Sequence, residues 1–400
     1  MLIVADQNKA FKKLRSISMI SLLFYLSLII PSYQALASEN LTVIITVDVE
    51  TSSGCTVDFG CFPVPIEDRI FGLKDGKFYG IPLIMDILEK YDMKGVFFVN
   101  AHLDSYYSHD EIAAFISNIR QRGHDVQFHA HPEFRCFKFC EEEDLICRRQ
   151  CVNHNSYLEG NSFANQLEIL KEGAENIKRW TGEYPIAFRA GSWKADLVTL
   201  DALEELGIPL DFSMNGPDHN LVTNFPVNQV TSRNSIIEVP TLAYQQGKPF
   251  RMAPRYWDIE SGTFLEHKKL LLEALQRGIK VAVLTMHSFS FCRRDVLCPN
   301  RNNIERFDRL LAFIKQNPSI RVFTTRQFLD DYLRAPQNFK GPNHIPEISY
   351  AMVIYRSWQQ FGESWKHKAF VIAHLAIFVT VIGIITLFLK KFMLKFFRKT

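Results

Sequence analysis

The chain has 400 residues, 47% hydrophobic and 22% charged, which excludes a disordered polymer and leaves room for one large domain with extra segments. Its formal charge of +3 is uneven: residues 1–37 carry +3 and residues 367–400 carry +6, leaving −6 on residues 38–366. That acidic middle argues against a nucleic-acid partner, because phosphate binding needs a basic footprint.

In chain order, Lys12, Lys13 and Arg15 precede an apolar run over 19–30, then Pro31 and Ala35-Leu36-Ala37. This order predicts a secretory signal peptide over 1–37, cleaved after Ala37. An uncleaved anchor is the alternative, although a twelve-residue run is short for a span. β-branched and apolar residues over 41–49 predict a buried strand, and 81–93 has helical periodicity. A strand at 95–99, a helix at 111–122, a strand at 125–128 and a long helix at 163–180 follow. Next come a strand at 185–188, a helix at 197–206 and short strands at 210–212 and 235–239. The series ends with a helix at 263–277, a strand at 281–286, a helix at 304–316, a strand at 321–324 and a helix at 326–334. Alternating strands and helices predict an α/β domain over 38–334 built on a parallel sheet, open or closed into a barrel.

Pro336, Gly341, Pro342 and Pro346 mark 335–368 as a linker and juxtamembrane segment. Within it Ile354, Trp358, Phe361 and Trp365 fall at helical spacing, a stripe for a membrane interface or for a core. Residues 369–389 form 21 positions without a charge. At ~1.5 Å per residue they reach ~31 Å, the length of a transmembrane helix. Lys390, Lys391, Lys395, Arg398 and Lys399 follow, so the basic tail 390–400 is expected in the cytoplasm. The expectation is a single-pass protein of the cytoplasmic membrane with its large domain outside.

Export gives the eight cysteines an oxidising environment. Cys55 and Cys61 are six apart, as are Cys292 and Cys298, and Cys136-x3-Cys140 is followed by Cys147-x3-Cys151. Two facing helical turns would pair Cys136 with Cys151 and Cys140 with Cys147. A zinc knot is the rival reading of those four.

Titratable residues collect where the predicted strands end. These are Asp48 and Glu50, then His129, His131 and Glu133, then Arg189, Asp211 and His287. The C-terminal ends of parallel strands are where barrels build active sites. Two histidines and a carboxylate suit a catalytic divalent metal, most simply zinc, with one position left open. His129 and His131 share a face of an extended chain, as do Asp48 and Glu50. One carboxylate can bind the metal while the other takes a proton from the attacking water. His287 could protonate a leaving amine, with Asp211 orienting its imidazole.

Thr46-Val47-Asp48-Val49-Glu50, Gly123-His124-Asp125-Val126 with His129, Phe188-Arg189-Ala190-Gly191-Ser192-Trp193, Asp211-Phe212-Ser213 and Leu284-Thr285-Met286-His287-Ser288 follow one another in order. In this the chain resembles the polysaccharide deacetylases of the NodB-homology type, carbohydrate esterase family 4, over about residues 41–330. The resemblance implies a distorted (β/α)7 barrel. It implies Asp48 as catalytic base, Arg189 as the residue holding it, and His287 as general acid. The metal set it implies is Glu50, His129 and a second histidine. Val49 stands at the family's usual metal aspartate, with Glu50 as its substitute. The family's second histidine falls four residues after the first, where this chain has Glu133. His131 is therefore the expected ligand, with Glu133 as the alternative. The implied activity is hydrolysis of N-acetyl groups on a cell-surface or lipid-linked glycan. An amidase acting on a small non-sugar amide and an inactive glycan-binding protein are the other readings. The oligomeric state is not legible.

Overall fold

A computed structural model describes residues 40–51, 64–141, 144–155, 157–216, 225–249, 251–292 and 298–359, with isolated positions between 368 and 384. The expected signal peptide, Cys55, Cys61 and the basic tail lie outside the described residues, and so does most of the expected span at 369–389. Among the described residues no helix is long and apolar enough to cross a membrane.

Strand β1 (Leu41–Val49) is buried along its whole length, as its run of β-branched residues requires of a strand covered on both faces. The hairpin strands β2 (Leu73–Lys74) and β3 (Lys77–Phe78) lie apart from the main sheet. The main sheet takes in β4 (Val96–Asn100), β5 (Asp125–Ala130), β6 (Ala187–Ala190), β7 (Leu210–Asp211), β8 (Thr231–Arg233) and β9 (Ile236–Glu238). A second hairpin, β10 (Ala243–Lys248) and β11 (Arg251–Tyr256), precedes β12 (Val281–His287) and β13 (Ile320–Val322). The short strand β14 (Glu347–Ile348) pairs with β10.

The main sheet runs β12-β1-β4-β5-β6-β7-β9-β8, with β13 also on β1. All its pairings are parallel except that of β8 with β9. Isolated parallel bridges tie Thr241 to Val283 and Asp258 to Thr285, along the other edge of β12. The sheet therefore curls back on itself, and irregular bridges replace a ladder at the seam. This α/β curl agrees with the expected fold in class and in its parallel strands.

Period-two alternation divides β1 between two cores. Val43, Ile45, Val47 and Val49 pack into the larger core with the helices Ile81–Lys90, His109–Gln121 and Phe163–Thr181. Ile44 faces a second core with Phe98, Phe212, Val239 and Val283. Asp48 shares the parity of Ile44, which sends it inside the curl. Val49, at the family's usual metal position, is turned into the helix-side core.

The strands and helices predicted between residues 41 and 334 are all present, with ends shifted by up to three residues, as where 81–93 becomes Ile81–Lys90. The β10–β11 hairpin was not expected, whereas the helices Phe134–Phe137 and Leu145–Asn155 lie where the cysteine spacing suggested two helical turns. The segment after Arg334 is more than a linker. Phe339 is buried in the inner core, and the helix Tyr350–Gln359 follows β14. Its buried positions are Val353 and Ser357, while Trp358 of the expected stripe is exposed. Phe361 and Trp365 are outside the described residues.

Three disulfides are present among the described residues: Cys136–Cys151, Cys140–Cys147 and Cys292–Cys298. The central four sulfurs are bonded to one another, so they are not the thiolates a zinc knot requires.

Candidate active site

Parallel register brings Asp48 opposite His287 where β1 and β12 end, and His129 opposite Arg189 where β5 and β6 end. Every side chain of the site leaves the same edge of the sheet.

Glu50, His129 and His131 each offer one ligand atom, and these atoms lie within 4.8 Å of one another. His129 Nε2 is 3.3 Å from Glu50 Oε2, and His131 Nε2 contacts the same oxygen. The other ring nitrogens are occupied. His129 Nδ1 donates to the Arg189 carbonyl at 2.9 Å, and His131 Nδ1 lies 2.9 Å from Glu133 Oε1. Metal-binding imidazoles are oriented in this way, with one nitrogen pinned by a carbonyl or carboxylate and the other left for the ion. The donor set and its orientation therefore fit a divalent metal. Glu133, the alternative ligand, occupies the orienting place behind His131.

Burial would raise the Glu50 carboxyl, but His131, His129 and His287 together hold it well below the usual carboxylate range. His131 moves the opposite way: burial opposes its charge, and Glu50 and Glu133 outweigh burial.

Asp48 Oδ1 accepts from Arg189 Nη1 at 2.5 Å. Arg189 is fully buried, with its guanidinium over the rings of Phe98 (4.4 Å) and Trp193 (4.9 Å). The turn after Arg189 is tight. Ser192 and Trp193 have φ of 53° and 61°, values unusual for residues with a Cβ. A Cβ on Gly191 would lie 2.6 Å from the Ala130 carbonyl and 2.9 Å from the His131 ring, so only glycine fits there. Trp193 meets Tyr256 of β11 at 5.6 Å between ring centroids, forming an aromatic wall beside Asp48 and Arg189.

His287 Nδ1 lies 2.8 Å from Glu260 Oε1, which also accepts from Ser290 Oγ at 2.8 Å. Burial disfavours the imidazolium, but Glu260, Glu50 and Asp48 prevail and push its pKa up to about 9. His287 stacks on Phe289 at 4.9 Å and points Nε2 towards Glu50 Oε1, 3.9 Å away.

Asp211 does not orient His287; Glu260 fills that position. Asp211 Oδ1 accepts from Ser213 Oγ at 2.6 Å, and Ser213 Oγ accepts from the Ala190 amide at 2.9 Å. Asp211 is the register partner of Glu238, and both carboxyls are buried. Burial raises Asp211 to about 6 and Glu238 well above its ordinary value, the second further raised by Asp211. Two acids this close share a proton, and the pair braces the end of β6 behind Arg189. His124 is structural. Its Nδ1 accepts from the Gly95 amide at 3.0 Å, and burial lowers its pKa to about 4.

Glu260 and Glu238 were not singled out from the sequence. Glu260 stands in a turn between β11 and the helix Phe264–Gln276, where no periodicity marks a functional position. The nearby Asp258-x-Glu260 spacing is a weak signal at best.

Residues 75–210 match the family model described as polysaccharide deacetylase, in agreement with the motif resemblance. The match covers 136 of the 400 residues. It takes in His129, His131 and Arg189 and ends one residue before Asp211. Asp48, Glu50 and His287 therefore come from outside the matched segment. The curated proteins contain no sequence match to the chain. Among solved structures, a candidate polysaccharide deacetylase from Mycobacterium smegmatis is 19% identical, with 79% of this chain and 97% of that one covered and a TM-score of 0.46. A family 4 carbohydrate esterase from Streptomyces lividans, in complex with acetate, is 10% identical over 78% of this chain and 100% of that one, with a TM-score of 0.36. A family 4 pseudoenzyme from Bacillus anthracis is 13% identical over 73% and 66%, with a TM-score of 0.37. At these scores they are general likenesses of shape, and the assignment rests on the family model and the site's own residues.

Proposed function

We propose that the chain, whose residues 75–210 belong to the polysaccharide deacetylase family, removes N-acetyl groups from a cell-surface or lipid-linked polysaccharide in a metal-dependent hydrolysis. One observation carries this reading. Asp48 and His287 are partners across neighbouring strands, each held by its own charged residue, beside the Glu50, His129 and His131 group.

In this reading Glu50, His129 and His131 hold the divalent metal, and zinc suits two imidazoles with one carboxylate. When bound, such an ion polarises the acetyl carbonyl and acidifies water. Asp48 takes the proton from the water that attacks, and Arg189 keeps its carboxylate aimed. His287, with Nδ1 on Glu260, gives a proton to the departing sugar nitrogen. One water is consumed, the amide C–N bond breaks, and acetate and a free amine leave.

The proposed location, with a C-terminal anchor and the domain outside the cytoplasmic membrane, rests on the charge pattern of the two ends. A reporter fused after Thr400 is expected in the cytoplasm, with residues 38–366 open to protease in spheroplasts.

The test of function is acetate release from a panel of cell-wall and capsular glycans by the metal-loaded full chain, with a chelated control. Release that depends on metal supports the reading. No release from any glycan would leave the glycan-binding reading, which Val49 favours by supplying no ligand at the family's usual position.

A further inference from the structure

A cavity of about 410 Å³ is lined by Pro132, Arg135, Lys138, Phe139, Tyr157 and Asn165 among others. Pro132 immediately follows His131, so one lining residue of the cavity is bonded to a residue of the candidate metal group. We propose that this cavity binds a neighbouring sugar ring of the same glycan chain, which rests on the proposal that the substrate is a polysaccharide.

Three observations support it. First, Phe139 is 78% exposed, yet it stands between Cys136 and Cys140, whose disulfides to Cys151 and Cys147 fix the loop that carries it. A single exposed ring is ordinary, but exposed aromatics gathered at one cavity form the kind of patch that marks a contact surface. Tyr157, 45% exposed, lines the same cavity. Aromatic faces of this kind suit the apolar C–H faces of a pyranose.

Second, the polar rim supplies both kinds of partner for hydroxyls. Asn165 Nδ2 is spent on Asn161 Oδ1 at 3.0 Å, and Asn161 Nδ2 is spent on the Tyr157 carbonyl at 2.9 Å. This fixes the Asn165 amide with its oxygen left as an acceptor. Arg135 is held in place by Glu168 and Glu172, each at 2.7 Å, which cancels its charge without removing it from the lining. Lys138 adds a donor. The lining is thus polar without a strong net charge, which favours a neutral sugar over an anion.

Third, the volume lies near the lower end of the ~300–1,000 Å³ range of small-ligand sites, in keeping with a single ring rather than a polypeptide.

The experiment uses the metal-loaded full chain and linear N-acetylhexosamine oligomers of one to five units. Phe139→Ala and Tyr157→Ala are expected to raise KM about tenfold on the pentamer, leaving kcat and activity on the shortest substrate unchanged. Equal effects on all lengths, or none on any, would overturn the subsite. Direct titration of the same oligomers separates this from failure of the deacetylase reading. If no acetate is released but the wild-type chain binds the pentamer more tightly than the monomer, and Phe139→Ala abolishes that difference, the subsite stands and the chemistry does not. Equal affinity of the wild-type chain for monomer and pentamer would overturn the subsite. Asn165→Ala serves as the second variant, and near-ultraviolet circular dichroism verifies that each variant is folded.

Discussion

Glu133 Oε1 lies 2.9 Å from Nδ1 of His131, so these two residues cooperate where the sequence presented them as rivals. A ligand and the carboxylate that orients it respond differently to mutation. His131→Ala should abolish stoichiometric metal, because it removes a ligand atom. Glu133→Gln should keep the metal but weaken its affinity ~10–100-fold. Metal titration of the purified chain checks both. The reverse ranking would make Glu133 the ligand.

Asp48→Asn should retain metal and lose ~10²–10⁴-fold in turnover, the usual size of a general-base contribution. Arg189→Met should also destabilise the fold. Arg189 is fully buried and Asp48 nearly so, and removing one member of a buried pair strands the other at a cost of ~3–5 kcal/mol. Asp48→Asn leaves the buried guanidinium without its counter-charge, so urea denaturation should show a lowered midpoint for that variant too.

Glu260→Gln should move the basic limb of the activity profile to lower pH. The His287 pKa is about 9, raised against burial by Glu260 first and by Glu50 and Asp48 after it. A raised histidine keeps its proton below that value and loses it as pH rises through it. A general acid is therefore lost on the alkaline side, and without Glu260 it is lost earlier. The dependence of kcat on pH is the measurement. An unchanged basic limb would show that another group sets it.

The Asp211–Glu238 pair predicts a stability loss with rising pH. Both folded pKa values exceed their ordinary values of 3.8 and 4.5, Asp211 reaching about 6. Above the unfolded values, near pH 4, the native state binds more protons than the unfolded chain, so its stability falls as pH rises. Glu238→Gln should flatten the denaturation midpoint between pH 4 and pH 8. A slope identical to wild type would refute proton sharing by this pair.

Non-reduced peptide mapping should return Cys136–Cys151, Cys140–Cys147 and Cys292–Cys298, with Cys55–Cys61 as the expected fourth bond, outside the described residues. Replacing Cys136 and Cys151 by serine should cost ~3 kcal/mol, the loop-closure entropy of about 15 residues.

The amino-acid sequence by itself determined the alternation of strands and helices and the residues at each strand end. Both are local properties: periodicity decides which side chains are buried, and a strand's last residues must leave the sheet at its edge. The neighbours of those residues were not legible in the same way. Asp211 ends a strand like the others, yet its register partner is Glu238, which draws it into a buried acid pair rather than towards His287. Glu260 reaches His287 from a turn 27 residues away in sequence, through the seam that Asp258 and Thr285 close between the chain after β11 and β12. Glu133, two residues from His131, could have been a ligand on spacing alone. Which imidazole nitrogen it meets depends on the turn of the chain after β5 and on the glycine at 191 that admits the ring. Strand ends come from short-range pattern, whereas proton-transfer partners come from contacts between segments distant in sequence, and only the curl of the sheet decides those.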